Sequence, residues 1–309
     1  MYLNRLLINF QHSDREWHFM IFLFIVSLIW AFSFGIIKGQ LTDLDTNFVS
    51  FSRMLLSFII FLPFIRIKKI PFKYIIQLTL LGMVQFGIMY VTYIFAYQYL
   101  KAFQVALFTI FTPIYVTLIN DAIEKKLNSK NMLSAILAIL GSGVIVLSKM
   151  SWIEISIGFL LMQISNMAFA FGQVFYRRIM LKLPEMTDAS VFAYLYFGAV
   201  LLTGLFSLFT TDYSGLSLSR NEIFALIYLG IIASGVCFFL WNIGARKAKV
   251  GILAVFNNLK IPLAVLVSLI FFKETTDLPR LTTGGFIILV AIIITDKNWI
   301  KKIKKMPTH

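Results

Sequence analysis

The amino-acid sequence predicts an all-α integral membrane protein: ten transmembrane helices, arranged as two inverted five-helix repeats around a central cavity. Three observations carry this. Apolar residues are 59% and charged residues 14% of the 309-residue chain, against about a quarter charged in a soluble domain. One soluble core cannot hide that excess, so most of it must face lipid. The charge is also segregated: the net +14 comes from Lys and Arg in short runs between apolar blocks. Finally, Trp30-Ala31-Phe32-Ser33-Phe34-Gly35 returns nearly intact as Met167-Ala168-Phe169-Ala170-Phe171-Gly172, 137 residues later. Five apolar stretches run from the first copy up to the second. An odd number turns the second half over in the membrane, and inverted halves with substrate held between them are an architecture of secondary transporters.

A crossing helix needs about 20 apolar residues. Ten stretches come close: 18–37, 47–65, 74–97, 103–120, 131–148, 157–176, 190–210, 222–242, 251–272 and 281–296. The first begins after Arg15 and Glu16 and has no small-x-small cleavage pattern, so it reads as a retained span rather than a signal peptide. The N-terminus and every second connection after it hold 20 Lys and Arg, and the opposite side holds 6. The positive-inside rule therefore puts both termini in the cytoplasm of a cell whose inner membrane carries the protein. A miscounted helix would scramble this alternation beyond the error. A second echo supports the repeat: Pro113 is followed by Glu124, and Pro262 by Glu274, at spacings of 11 and 12. The chain thus divides into a first repeat (1–150), a second repeat (151–296) and a basic cytoplasmic tail (297–309) that meets anionic lipid headgroups.

Two cations fall inside predicted spans, Arg53 and Lys260. A charge at mid-membrane costs about 2.5–3.5 kcal/mol on insertion scales, so both should face the bundle interior. Arg53 lies early in its span and is open to two readings, snorkelling or lining the cavity. Lys260 lies deeper, beside Asn257, Asn258 and Pro262, and reads as a cavity residue. No Asp or Glu lies deep in a span to pair with either. Gln163, Asn166, Ala170 and Gln173 share one face of the sixth span; they serve either as interhelical glue or as cavity lining. Phe86, Tyr90, Tyr93 and Tyr97 recur at helical spacing in the third span. There Tyr97 reads as an interfacial belt residue, Tyr90 as either core or substrate contact, and Gln85 as a deep amide on an adjoining face. Trp30 and Trp241 sit where tryptophan commonly anchors the interface and are also candidate substrate contacts. Pro113 and Pro262 should kink or hinge their helices.

No Asp-rich prenyltransferase pair, His-Glu-x-x-His, Walker A or Gly-x-Ser-x-Gly pattern occurs. No catalytic residue and no cofactor are predicted. His12, His18, His309 and the single Cys237 cannot assemble a zinc site. The Lys and Arg runs fit a topology signal and not a nucleic-acid footprint.

The motifs resemble the drug/metabolite transporter superfamily, in its EamA family. The family's aromatic start in the first span matches Trp30-Ala31-Phe32-Ser33-Phe34, with Ala in place of Gly. An Arg early in the second span matches Arg53 in Phe51-Ser52-Arg53-Met54. Pro113 and Glu124 match the fourth span, and Trp241-Asn242, Pro262 and Glu274 match the second half. Where the family usually has Glu before the second Pro, this chain has Lys260-Ile261. The resemblance implies ten helices, a central cavity and alternating access. With two cations facing it, the cavity should attract a small metabolite bearing a carboxylate, such as an amino acid or its derivative. Facilitated diffusion or exchange is expected, because no deep acid offers a proton relay. An integral-membrane enzyme or a lipid scramblase is the alternative. The expected partners are the small-molecule substrate, membrane lipid and, as one open assembly, a second copy of the chain.

Overall fold

The computed structural model describes residues 2–66, 70–125, 152–247 and 250–273, with a few isolated positions in 136–144 and 279–290; side chains are defined from residue 21, outside 152–153 and 250–259. Every regular element among the described residues is helical. Eight helices are defined: α1 (Tyr2–Gln40), α2 (Thr46–Phe61), α3 (Phe72–Ala96), α4 (Ala102–Glu124), α5 (Trp152–Leu181), α6 (Asp188–Thr210), α7 (Arg220–Lys247) and α8 (Val250–Phe271). Seven contain a stretch long and apolar enough to cross a membrane, and Lys260–Phe271 adds a shorter apolar helix in α8. Eight of the ten predicted spans thus coincide with helices. The stretches 131–148 and 281–296 and the basic tail lie outside the described residues, so the count of ten stays a sequence expectation.

Local chemistry sets the helix ends. Asp45 caps α2, its carboxylate accepting from the N–H groups of Asn47 and Phe48 at 3.1 and 2.8 Å. Ser219 and Glu222 form a reciprocal capping box at the start of α7. Lys125, at φ 54°, ends α4 in the left-handed conformation. Within α3 and α7 the helix widens to π geometry, over Met83–Ile88 and Tyr228–Val236.

The packing has a regular pattern. Helix α4 lies on α5 as α8 lies on α1, α3 lies on α6 as α2 lies on α7, and α2 meets α6. Advancing each label by four turns every one of these pairs into another of the set. The two π segments also exchange under the same shift. Side chains such as Leu208, Phe209 and Phe224 are bare on the outside of the bundle, where lipid covers them. The predicted face of α5 is buried throughout, at Gln163, Asn166, Ala170 and Gln173.

Two expectations are corrected. Tyr97 is no interfacial belt residue: it is 1% exposed, and its hydroxyl pairs with that of Tyr93 at 2.9 Å. Trp30 and Trp241 are not anchors at the interface either, being 7% and 1% exposed and packed on one another with ring centroids 5.0 Å apart.

Candidate functional site

The site grows from the buried stripe of α2, where Val49, Ser50, Arg53, Met54, Ser57 and Phe61 recur at helical spacing. Gly230 lets α7 lie directly on this stripe; a side chain there would collide with Leu56 and approach the Arg53 backbone. Arg53 is therefore 2% exposed and does not snorkel. Its Nε donates to Ser234 Oγ at 3.1 Å and its Nη2 to Tyr90 Oη at 3.0 Å. The guanidinium carbon stands 4.8 Å from the centre of the Tyr90 ring. Nη1 is buried and has no protein partner.

Lys260 approaches from α8 and is 4% exposed. Its Nζ lies 5.0 Å from the ring centre of Trp30 and 5.9 Å from that of Trp241, in cation–π contact. Trp30 is fixed in turn, its Nε1 donating to the Ala233 carbonyl in the π segment of α7 at 2.9 Å.

Between the two cations lies a cavity of about 60 Å³, lined by residues of α1 to α5, α7 and α8. That volume holds a few waters, so a metabolite needs the helices to part. Of the predicted site residues, Trp30, Arg53, Tyr90, Asn166 and Lys260 line it. Gln85, Gln163, Gln173 and Trp241 are buried beyond its wall. Gln85 Nε2 donates to Asn242 at 2.9 Å, and Gln163 Oε1 accepts from Tyr115 at 3.1 Å. The Asn257 side chain lies outside the described residues. Sequence reasoning missed Ser33, Thr109, Thr112, Ser165, Phe169 and Phe238 on the wall and Ser234 behind it. No Asp or Glu is among the described lining residues.

Asn166 has a structural task as well. Pro113 has no N–H, and α4 breaks at Thr109–Ile110, just where the missing bond would fall. The Thr112 N–H turns to the Thr109 carbonyl at 3.1 Å, which leaves the Phe108 carbonyl without its helical donor. Asn166 Nδ2 supplies one at 2.7 Å, while its Oδ1 accepts from Thr112 Oγ1 at 3.1 Å. Asn166→Ala should therefore lower stability by about 1–3 kcal/mol, read as thermal unfolding of the purified protein; unchanged unfolding would remove this role. Pro262, by contrast, is accommodated inside an unbroken α8.

The chain matches the EamA-like transporter family over residues 18–147 and again over 156–295. It belongs to that family. Similar proteins include the "Probable biotin transporter" of Pseudomonas aeruginosa, 34% identical over 275 residues that span 88% of this chain and 96% of the relative. The "Biotin transporter" of Salmonella typhimurium and that of Escherichia coli K12 are each 34% identical over 286 residues, covering 91% of this chain and 94% of theirs. A solved crystal structure at 14% identity superposes with a TM-score of 0.67, over 94% of this chain and 99% of its own, which supports the shared fold. Family membership makes the protein a multi-pass membrane transporter of a small molecule.

Proposed function

We propose that this transporter carries a small carboxylate-bearing metabolite, biotin foremost, between Arg53 and Lys260. The observation that carries the reading is the pair of buried cations on one cavity, with no acid among its described lining residues and with Arg53 Nη1 lacking a protein partner. An anion would give Arg53 Nη1 its partner, with Lys260 on the same cavity. An amino acid fits less well, because its ammonium would meet two like charges. Biotin has a carboxylate at one end and a cyclic urea with two N–H donors at the other. Ser165 and Thr112 line the cavity and donate their hydroxyl protons to Met89 O and Asn166 Oδ1, so each oxygen keeps lone pairs with which to accept such donors. The relatives named as biotin transporters favour the same substrate.

The ten helices form two inverted repeats with both termini cytoplasmic, in the inner membrane. The doubled family match and the exchange of helix pairs under one shift support the repeat. The site opens alternately by rocking of the halves about the break before Pro113 and the missing N–H of Pro262. Transport is facilitated diffusion or exchange.

Uptake of labelled biotin into proteoliposomes tests this. Biotin should equilibrate, and excess biotin carrying a free carboxylate should compete while its uncharged primary amide does not. Equal competition by the amide removes the anion reading. Absence of uptake removes biotin, and concentrative uptake driven by a pH gradient alone removes the facilitator.

A further inference from the structure

The Arg53 guanidinium has two ends. Nε and Nη2 form the side-on edge, whose two parallel N–H groups suit both oxygens of a carboxylate; Nη1 lies at the other end. Both side-on positions are already filled by hydroxyls, Ser234 Oγ at 3.1 Å from Nε and Tyr90 Oη at 3.0 Å from Nη2. Those two oxygens are 2.7 Å apart. Ser234 donates its own proton to the Leu229 carbonyl at 2.6 Å, so Tyr90 is the donor between the hydroxyls. Both oxygens therefore turn lone pairs to Arg53, as a carboxylate does. The five-residue reach from Ser234 back to Leu229 falls within the π segment Tyr228–Val236. Behind it, Tyr196 Oη donates to the carbonyls of Ser234 and Gly235 at 2.8 and 2.9 Å, so the position of Ser234 is held from outside the cavity.

We propose that Ser234 is a positioning residue for anion recognition: with Tyr90 it occupies the side-on edge of Arg53 as a carboxylate would, and so leaves the Nη1 end to take the substrate carboxylate. This rests on the reading of Arg53 as the substrate anchor. The result is a directional site, in which the anion meets the guanidinium end-on from the cavity and Lys260 supplies the second charge.

The test is a thermal-shift titration of the purified protein with biotin and, separately, with pentanoate, using pentanamide as the uncharged control. Ser234→Ala should raise the half-saturating concentration of both acids about tenfold and leave any response to pentanamide unchanged. Ser234→Thr keeps the hydroxyl and should restore the wild-type midpoints. Unchanged acid midpoints in Ser234→Ala overturn the proposal. So does a Ser234→Thr protein that binds the acids as weakly as the alanine variant. If the wild type binds pentanoate but not biotin, the substrate name is wrong and the positioning role stands. If Arg53→Gln binds both acids as the wild type does, the anchor reading falls and the role of Ser234 with it.

Discussion

Arg53→Gln and Lys260→Met are each expected to abolish most biotin uptake without unfolding the protein. Removing one partner of a buried, hydrogen-bonded charge pair costs about 2–5 kcal/mol, which is roughly thirty-fold to several-thousand-fold in apparent affinity. The two residues differ in what else the substitution disturbs. Without Arg53, the chain of donors from Tyr90 to Ser234 to Leu229 stays intact, so the pocket loses one of its two cations and keeps its hydroxyl network. Arg53→Lys should not rescue, because the N–H groups of an ammonium diverge from one nitrogen, whereas Ser234 Oγ and Tyr90 Oη, 2.7 Å apart, suit the parallel N–H groups of a guanidinium edge. Without Lys260, a buried ammonium is replaced by an apolar side chain against Trp30 and Trp241. Initial uptake rates over a range of biotin concentrations, set beside unfolding temperatures, separate loss of recognition from loss of fold. Wild-type KM in both variants would end the anion reading.

Lys260 was legible because the membrane penalises a charge wherever it is not enclosed, so depth in the chain points it inward, whereas Arg53, early in its span, read equally well as a snorkelling side chain. The inward face of α5 was legible for the same reason. Depth says nothing, however, about what a side chain meets. Tyr97 and Trp30 read as interfacial by position along their helices, yet both are buried, Tyr97 pairing its hydroxyl with that of Tyr93 one turn back and Trp30 donating to the Ala233 carbonyl of α7. Asn166 was legible as an interior amide, but its partner is the Phe108 carbonyl, available only because α4 breaks before Pro113. The π segments left no mark, because a shift of helical phase cannot be read in a stretch where almost every residue is apolar. Ser234 depends on such a segment for its place beside Arg53, so a single serine in the run Ala233-Ser234-Gly235 gave no reason to be chosen.

Gly82→Ala and Gly198→Ala are expected to destabilise the bundle more than any substitution at the cavity. A methyl carbon on Gly82 would lie 1.9 Å from the Leu195 carbonyl oxygen, and one on Gly198 would lie 1.9 Å from that of Thr79. Each glycine thus seats the backbone of the other helix, and α3 can cross α6 at this distance only with both. The obstacle is backbone on both sides, so no rotamer change relieves it and the helices must separate. Overpacking a well-packed interior costs about 1–3 kcal/mol, and this contact should reach the upper end of that range or pass it. Function should fall too, because α3 carries Tyr90 and α6 carries Tyr196, whose hydroxyl holds the backbone beneath Ser234. Gly39→Ala is the matched control: its methyl carbon would meet only the Phe272 ring at 3.4 Å and should change stability by no more than about 0.5 kcal/mol. Because one crossing is spoiled by either glycine substitution, the pair should be non-additive, the second alanine costing less once the first has parted the helices. Additive losses in the unfolding of the double variant would mean that the two contacts act independently, and a wild-type unfolding temperature in either single variant would mean that the crossing is not as close as these glycines make it.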